Sequence, residues 1–127
     1  MQASIPPRVL VVDDEPLIRW SIAETLGDSG YEVVNSGDAE SACDAVRQAS
    51  SPFDVILLDL RLPDSADLSL LRAIRRMAPT TRVILMTAFG TQEVIDGALD
   101  LGAYRVMDKP FEIQEMVRLV DQASARH

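Results

Sequence analysis

Two adjacent carboxylates, Asp13 and Asp14, directly follow the apolar run Val9–Val12. Further along, Asp59 closes the run Val55–Leu58, Thr87 closes Val83–Met86, and Lys109 stands just after Val106–Met107. Three carboxylates, a hydroxyl and an ammonium have a joint use if the fold gathers them. Crowded carboxylates repel one another and resist joint ionisation, and a divalent cation relieves that repulsion. Hard oxygen ligands with open positions suit Mg²⁺, which keeps several waters and pairs with phosphoryl groups. Lys109 would bring a compact positive charge to an oxyanion, and Thr87 a hydroxyl donor. An Asp carboxylate can itself attack phosphorus and form an acyl phosphate. Asp59 is the candidate nucleophile, with the metal and Lys109 neutralising charge on the transferred group. Taken singly, each residue is ordinary: a strand-end Asp or Thr is usually a helix cap, and Lys-Pro is usually a turn. The chemistry depends on convergence.

The elements that would produce convergence are legible. Arg8–Val12 reads as a strand apolar on both faces, as in a covered parallel sheet. A helix is expected from Pro16 to about Ser29, with Asp14 as a cap, Leu17, Ile18, Ile22 and Leu26 turned inward, and Gly30 as the stop. Tyr31–Asn35 reads as a second strand. Ser36-Gly37-Asp38 opens a helix with Ala39, Ala42, Val46 and Ala49 on one side, and Ser51-Pro52 ends it. Strand Phe53–Leu58 leads to Asp59, followed by the loop Arg61–Asp64 and a helix over roughly Asp67–Met77. Strand Arg82–Met86 precedes a helix from about Thr91 to Leu101, and strand Tyr104–Met107 precedes a last helix from about Glu112 to Ala123. Five strands alternating with five helices predict an α/β fold, a flavodoxin-like (βα)₅ three-layer sandwich with a parallel sheet of order 2-1-3-4-5. All strands of such a sheet end on one edge, so Asp13, Asp14, Asp59, Thr87 and Lys109 would meet there.

Composition narrows the classes. The chain has 127 residues, which implies one domain, residues 1–127, with a core over about 8–123. Apolar residues make up 47% and charged residues 25%, the usual globular mix. No apolar run is long enough to span a bilayer, so no membrane association is expected. The net charge of −8 disfavours direct nucleic-acid binding. Cys43 is the single cysteine, which excludes an internal disulfide and fits a cytoplasmic location. Cys43 and Trp20 are expected to pack, and His127 is simply the chain end. The run Ile113, Met116, Val117 and Val120 suits core packing and homodimer contact equally.

The segments VVDDEP, ILLDLRLPD, MTAFG and DKPF, in that order and spacing, resemble the signature segments of bacterial two-component response-regulator receiver domains of the CheY-like superfamily. The similarity runs from about Arg8 to Val120. IRW in the first helix, the LRLPD loop and TAFGT resemble the branch found in NtrC-type transcription regulators. The resemblance implies a phosphoacceptor signalling domain rather than an enzyme with an external substrate, catalysing only its own phosphoryl transfer and dephosphorylation. It implies that Asp59 accepts a phosphoryl group from a sensor histidine kinase, and that Mg²⁺ is bound by Asp13, Asp14, Asp59 and the backbone carbonyl of Arg61, Asp14 most directly. It further implies that Thr87 and Lys109 contact phosphoryl oxygens, and that the switched surface, on the fourth helix, fifth strand and fifth helix, controls a C-terminal output domain or a downstream protein.

Two departures from the family pattern stand out. Val106 occupies the position three before the site lysine where the family usually has Phe or Tyr; Tyr104, two residues earlier, is expected on the same strand face. Ala66-Asp67 stands where the family usually has Asp-Gly, which predicts a shifted start to the third helix, capped by Asp64, Ser65 or Asp67. Arg61 and Phe89, each two residues beyond a site residue, are expected to shield the acyl phosphate from water. The competing readings are a haloacid-dehalogenase-type Mg²⁺-dependent phosphatase or phosphotransferase, which would want Asp-x-Asp on one strand end and a cap domain, and a docking module that works without phosphorylation.

Overall fold

The computed structural model describes residues 5–124, so His127 lies outside the described residues. Its elements run β1 (Arg8–Val12), α1 (Pro16–Asp28), β2 (Glu32–Ser36), α2 (Ala39–Gln48), β3 (Val55–Asp59), α3 (Ser69–Met77), β4 (Arg82–Thr87), α4 (Gln92–Asp100), β5 (Arg105–Asp108) and α5 (Ile113–Ala123). The strands form one parallel sheet in the order β2-β1-β3-β4-β5. This is the expected topology, with several boundaries moved by one or two residues.

The sheet divides the core in two because side chains alternate across it. Leu10, Val12, Ile56, Leu58, Val83 and Leu85 meet α2, α3 and the buried Ala98 of α4 on one side. Val9, Val11, Val55, Leu57, Ile84 and Met86 meet α1 and α5 on the other. Every residue of β3 is buried, which explains why this strand reads as an unbroken apolar run ending in a lone carboxylate. Gly30 and Gly102 take positive φ (94° and 95°) just beyond α1 and α4, a conformation that a side chain would strain.

Local chemistry sets the helix starts. Thr91 caps α4 through its side chain, accepting from the Val94 amide, and Asp38 caps α2 by accepting from the Ser41 amide at 2.8 Å. α1 departs from expectation: its N-cap is Glu15, without a side-chain bond, and Asp14 caps nothing. α3 starts late, at Ser69, with Asp67 Oδ1 accepting from the Ser69 amide at 2.9 Å. Asp64 does not cap α3; its carboxylate crosses to the first turn of α2.

Four packing expectations resolve as follows. Leu17 is 77% exposed and Trp20 61%, so neither packs inward. The core stripe Ile18–Ile22–Leu26 repeats at four-residue spacing, and Leu17 and Trp20 fall outside it. Val106 packs against the α2–α3 side but Tyr104 against the α1–α5 side, because β5 begins only at Arg105 and its alternation does not reach Tyr104. Cys43 is partly buried against the α2–α3 side, as expected. Met116 and Val120 are buried and Val117 is half-buried, so the α5 run serves the core, with Ile113 left at the surface.

Ile56 is fully buried between layers, so Ile56→Ala should cost about 2–5 kcal/mol in urea unfolding followed by far-UV circular dichroism. Leu17→Ala should stay within about 0.5 kcal/mol of wild type in the same measurement, and a larger loss would contradict its solvent-facing placement.

Candidate functional site

All five sequence-predicted side chains stand at the C-terminal edge of the sheet. β1 delivers Asp13 and Asp14, β3 ends in Asp59, β4 ends in Thr87, and Lys109 directly follows β5. Pairing of Val12 with Leu58, Asp59 with Met86, and Thr87 with Asp108 puts these strand ends side by side. Asp13, Asp59 and Thr87 are buried, while Asp14 is exposed on the rim.

Lys109 holds the centre. Its Nζ donates to Asp13 Oδ2 at 2.9 Å and to Asp59 Oδ2 at 3.0 Å. Each carboxylate is also held by the backbone of its own loop: Glu15 N donates to Asp13 Oδ1 at 2.9 Å and Arg61 N to Asp59 Oδ1 at 3.2 Å. The Thr87 hydroxyl accepts from the Phe89 amide at 3.1 Å, and the Thr87 carbonyl accepts from the Lys109 amide at 2.8 Å, tying β4 to the loop that carries the lysine. The Lys109–Pro110 peptide is cis.

Burial pushes the Asp59 carboxyl above the ordinary carboxylate value of 3.8; the Lys109 hydrogen bond and charge oppose this, the Asp13 charge adds to it, and the Arg61 amide opposes it. Burial works to lower the Lys109 ammonium, but the hydrogen bonds and charges of Asp13 and Asp59 outweigh it and hold the group above 10.5. Lys109 is therefore a fixed positive charge at neutral pH.

The acidic set fits a hard divalent cation. Asp13, Asp14 and Asp59 each offer a carboxylate oxygen, and these oxygens lie within 4.8 Å of one another. The donors are all oxygen, and the exposed Asp14 leaves the rim open to solvent.

Several supporting groups escaped the sequence reading. Arg19 reaches from α1 to donate to the Asp13 carbonyl at 2.6 Å, fixing the loop that presents both acids. Gly90 sits in close approach to its neighbours: a Cβ there would stand 2.8 Å from Asp108 Oδ1 and 3.2 Å from Thr87 Cγ2, so a side chain would displace the exposed Asp108 carboxylate and crowd Thr87. Arg61 and Phe89 were anticipated as flanking residues, but not as a pair: the Arg61 guanidinium carbon lies 5.0 Å from the centroid of the exposed Phe89 ring, a cation–π contact between the β3–α3 and β4–α4 loops. For Arg19 and Gly90 the sole hint was that they fall in the IRW and TAFGT segments.

The comparisons with known proteins agree with this fold. The response regulator receiver domain family model matches residues 9–121, and the chain belongs to that family. Among relatives, transcriptional regulatory protein PdtaR of Mycobacterium tuberculosis is 34% identical over 98% of the chain and 60% of its own length. The DNA-binding transcriptional regulator NtrC of Escherichia coli is 34% identical over 94% of the chain and 25% of its own length. The chain thus spans less than two thirds of the length of the first of these relatives and a quarter of the second. The receiver domain of the Francisella response regulator 1452 superposes with a TM-score of 0.85 at 28% identity, covering 94% of this chain and 98% of that one. The family comprises signalling domains of two-component systems, generally not enzymes, with phosphorylation and Mg²⁺ binding as family properties. No helix among the described residues is long and apolar enough to cross a membrane.

The raised Asp59 carboxyl makes a signed pH prediction. The folded chain binds this proton more tightly than the unfolded chain, so ionising Asp59 costs stability as pH climbs from 3.8 through the raised value. With chelator present, thermal melts between about pH 4 and pH 7 should therefore show Asp59→Asn gaining on wild type as pH increases. A wild type that gains on Asp59→Asn over this range would refute the assignment.

Proposed function

We propose that Asp59 is the phosphoacceptor of this domain and takes its phosphoryl group from a sensor histidine kinase. The observation carrying this reading is the single Lys109 ammonium shared by Asp13 and Asp59, with Asp14 on the same rim. An Asp59 oxygen forms the new O–P bond while the donor imidazole nitrogen leaves with the P–N electron pair. Burial, which raises its carboxyl, makes Asp59 a better nucleophile than an exposed aspartate. Lys109 needs little movement to exchange an Asp59 oxygen for a phosphoryl oxygen, and the Thr87 hydroxyl supplies a second donor. Asp13, Asp14, Asp59 and the Arg61 backbone carbonyl would hold Mg²⁺, which when bound neutralises charge on the transferred group.

Residues around the acceptor support further parts of the reading. A groove of about 390 Å³ between α1 and the β5–α5 turn, lined by Ile18, Ile22, Phe111 and Ile113, opens on Lys109 and offers the kinase an apolar seat. The Arg61–Phe89 pair spans the rim and would hinder water on its way to the acyl phosphate. Residues 8–123 act as one receiver unit. Switching alters the α4–β5–α5 surface, where Leu99 and Arg105 are exposed, and controls an output domain or a downstream protein. The greater length of the transcription regulators PdtaR and NtrC favours an attached output domain. A cytoplasmic location fits a kinase-fed switch.

Incubation with acetyl phosphate and Mg²⁺ should add one phosphoryl group by intact mass, and the adduct should be absent in Asp59→Asn. An adduct that persists in Asp59→Asn, or repeated turnover of a phosphoester, would overturn the reading. On the phosphorylated chain, Phe89→Ala should release phosphate severalfold faster than wild type; equal rates would remove the shielding role.

A further inference from the structure

The β3–α3 loop carries the Arg61 peptide. Its amide holds Asp59 Oδ1, and its carbonyl is one of the cation donors proposed above. Beyond Arg61 the chain folds into a tight turn in which Leu62 and Ser65 exchange both backbone hydrogen bonds, at 2.8 and 3.2 Å. Pro63 and Asp64 form the tip. The Ser65 hydroxyl is buried without a hydrogen-bond partner among the described residues, so it does not anchor the turn. Asp64 does, by reaching into a different element: its Oδ1 accepts from Ala39 N at 2.7 Å and its Oδ2 from Glu40 N at 3.1 Å. Asp38 takes the next amide, Ser41 N, so two carboxylates share the open amides of α2, one from its own helix and one from the loop.

These two carboxylates differ in what they restrain. Asp38 ties α2 to itself. Asp64 ties α2 to the turn, and α2 is fixed on the sheet through Ala42, Val46 and Ala49. We propose that Asp64 is a positioning residue for the cation site, pinning the 59–65 loop to α2 so that the Arg61 peptide faces Asp59. This rests on the reading of the rim as an Mg²⁺-dependent acceptor.

The test uses Mn²⁺ alone as the probe, titrated by electron paramagnetic resonance into the whole chain. Alongside it run thermal melts and amide exchange at Ala39 and Glu40 without metal. Asp64→Ala should expose both amides to exchange and weaken Mn²⁺ binding roughly 10-fold, the usual scale for an outer-shell residue of a metal site. Asp64→Asn, which keeps one acceptor and loses the charge, should retain most of the affinity. Asp38→Ala should lower the melting temperature as much as Asp64→Ala and leave Mn²⁺ affinity unchanged. Unchanged affinity in Asp64→Ala overturns the proposal. So does a loss in Asp64→Asn equal to that in Asp64→Ala while Ala39 and Glu40 stay protected from exchange, which would show that charge alone matters, or an equal loss in Asp38→Ala, which would show that α2 stability is responsible. A wild-type chain that binds no Mn²⁺ instead brings down the acceptor reading itself, and this proposal with it.

Discussion

One ammonium group between two buried carboxylates governs the rim of this sheet. An isolated carboxylate at the depth of Asp13 or Asp59 would be very costly to keep ionised. Lys109 offsets that cost for both at once, and the Glu15 and Arg61 amides satisfy the remaining oxygens. The pairing leaves an imbalance, however. Two acids face one base, Asp14 adds a third carboxylate nearby, and burial still holds the Asp59 carboxyl above its ordinary value. The folded chain thus carries local electrostatic frustration that a bound cation would relieve.

The rest of the architecture is the apparatus that keeps this frustrated cluster in register. Charge can concentrate at the rim only because the strand interiors are apolar on both faces and covered by helices. The parallel arrangement supplies convergence, since residues separated by 96 positions, Asp13 and Lys109, come within hydrogen-bond distance simply by ending neighbouring parts of one sheet. The loops supply the fine placement. Arg19 fixes the β1–α1 loop by its carbonyl, Gly90 lets the β4–α4 loop approach Asp108, and Asp64 reaches α2 from the β3–α3 loop.

How much of this could be read from the residues follows from the range of each interaction. Strand order, helix alternation and the five rim side chains were legible because they depend on periodicity and on where apolar runs stop, both local signals. The cap of α1 was misjudged because Asp13-Asp14 looks like a helix start, while burial committed Asp13 to Lys109 and left Asp14 on the rim. Leu17 and Trp20 are apolar residues outside the core stripe, and only the angle of α1 against the sheet reveals that. Tyr104 and Val106 share a parity in sequence but not a face, because the strand begins between them. Asp64 was legible as a cap and assigned to the wrong helix; its partner lies 25 residues earlier, and no local pattern encodes that choice.

Val106 stands where the family usually carries an aromatic residue, and its placement sets what lies behind Thr87 in this chain. It sits on the α2–α3 side of the sheet, while the only nearby strand-entry aromatic, Tyr104, sits on the opposite side, stacked beneath Arg82 and Arg105. A ring held there lies on the sheet face opposite Val106. The Thr87 hydroxyl has a different dependent. It accepts from the Phe89 amide, and the Phe89 ring carries the Arg61 guanidinium. The hydroxyl that would meet a phosphoryl oxygen therefore also holds the loop whose Phe89 ring pairs with Arg61 over the rim. The start of α4 lies three residues beyond Phe89, so this loop joins the acceptor rim to α4 by a short stretch of backbone.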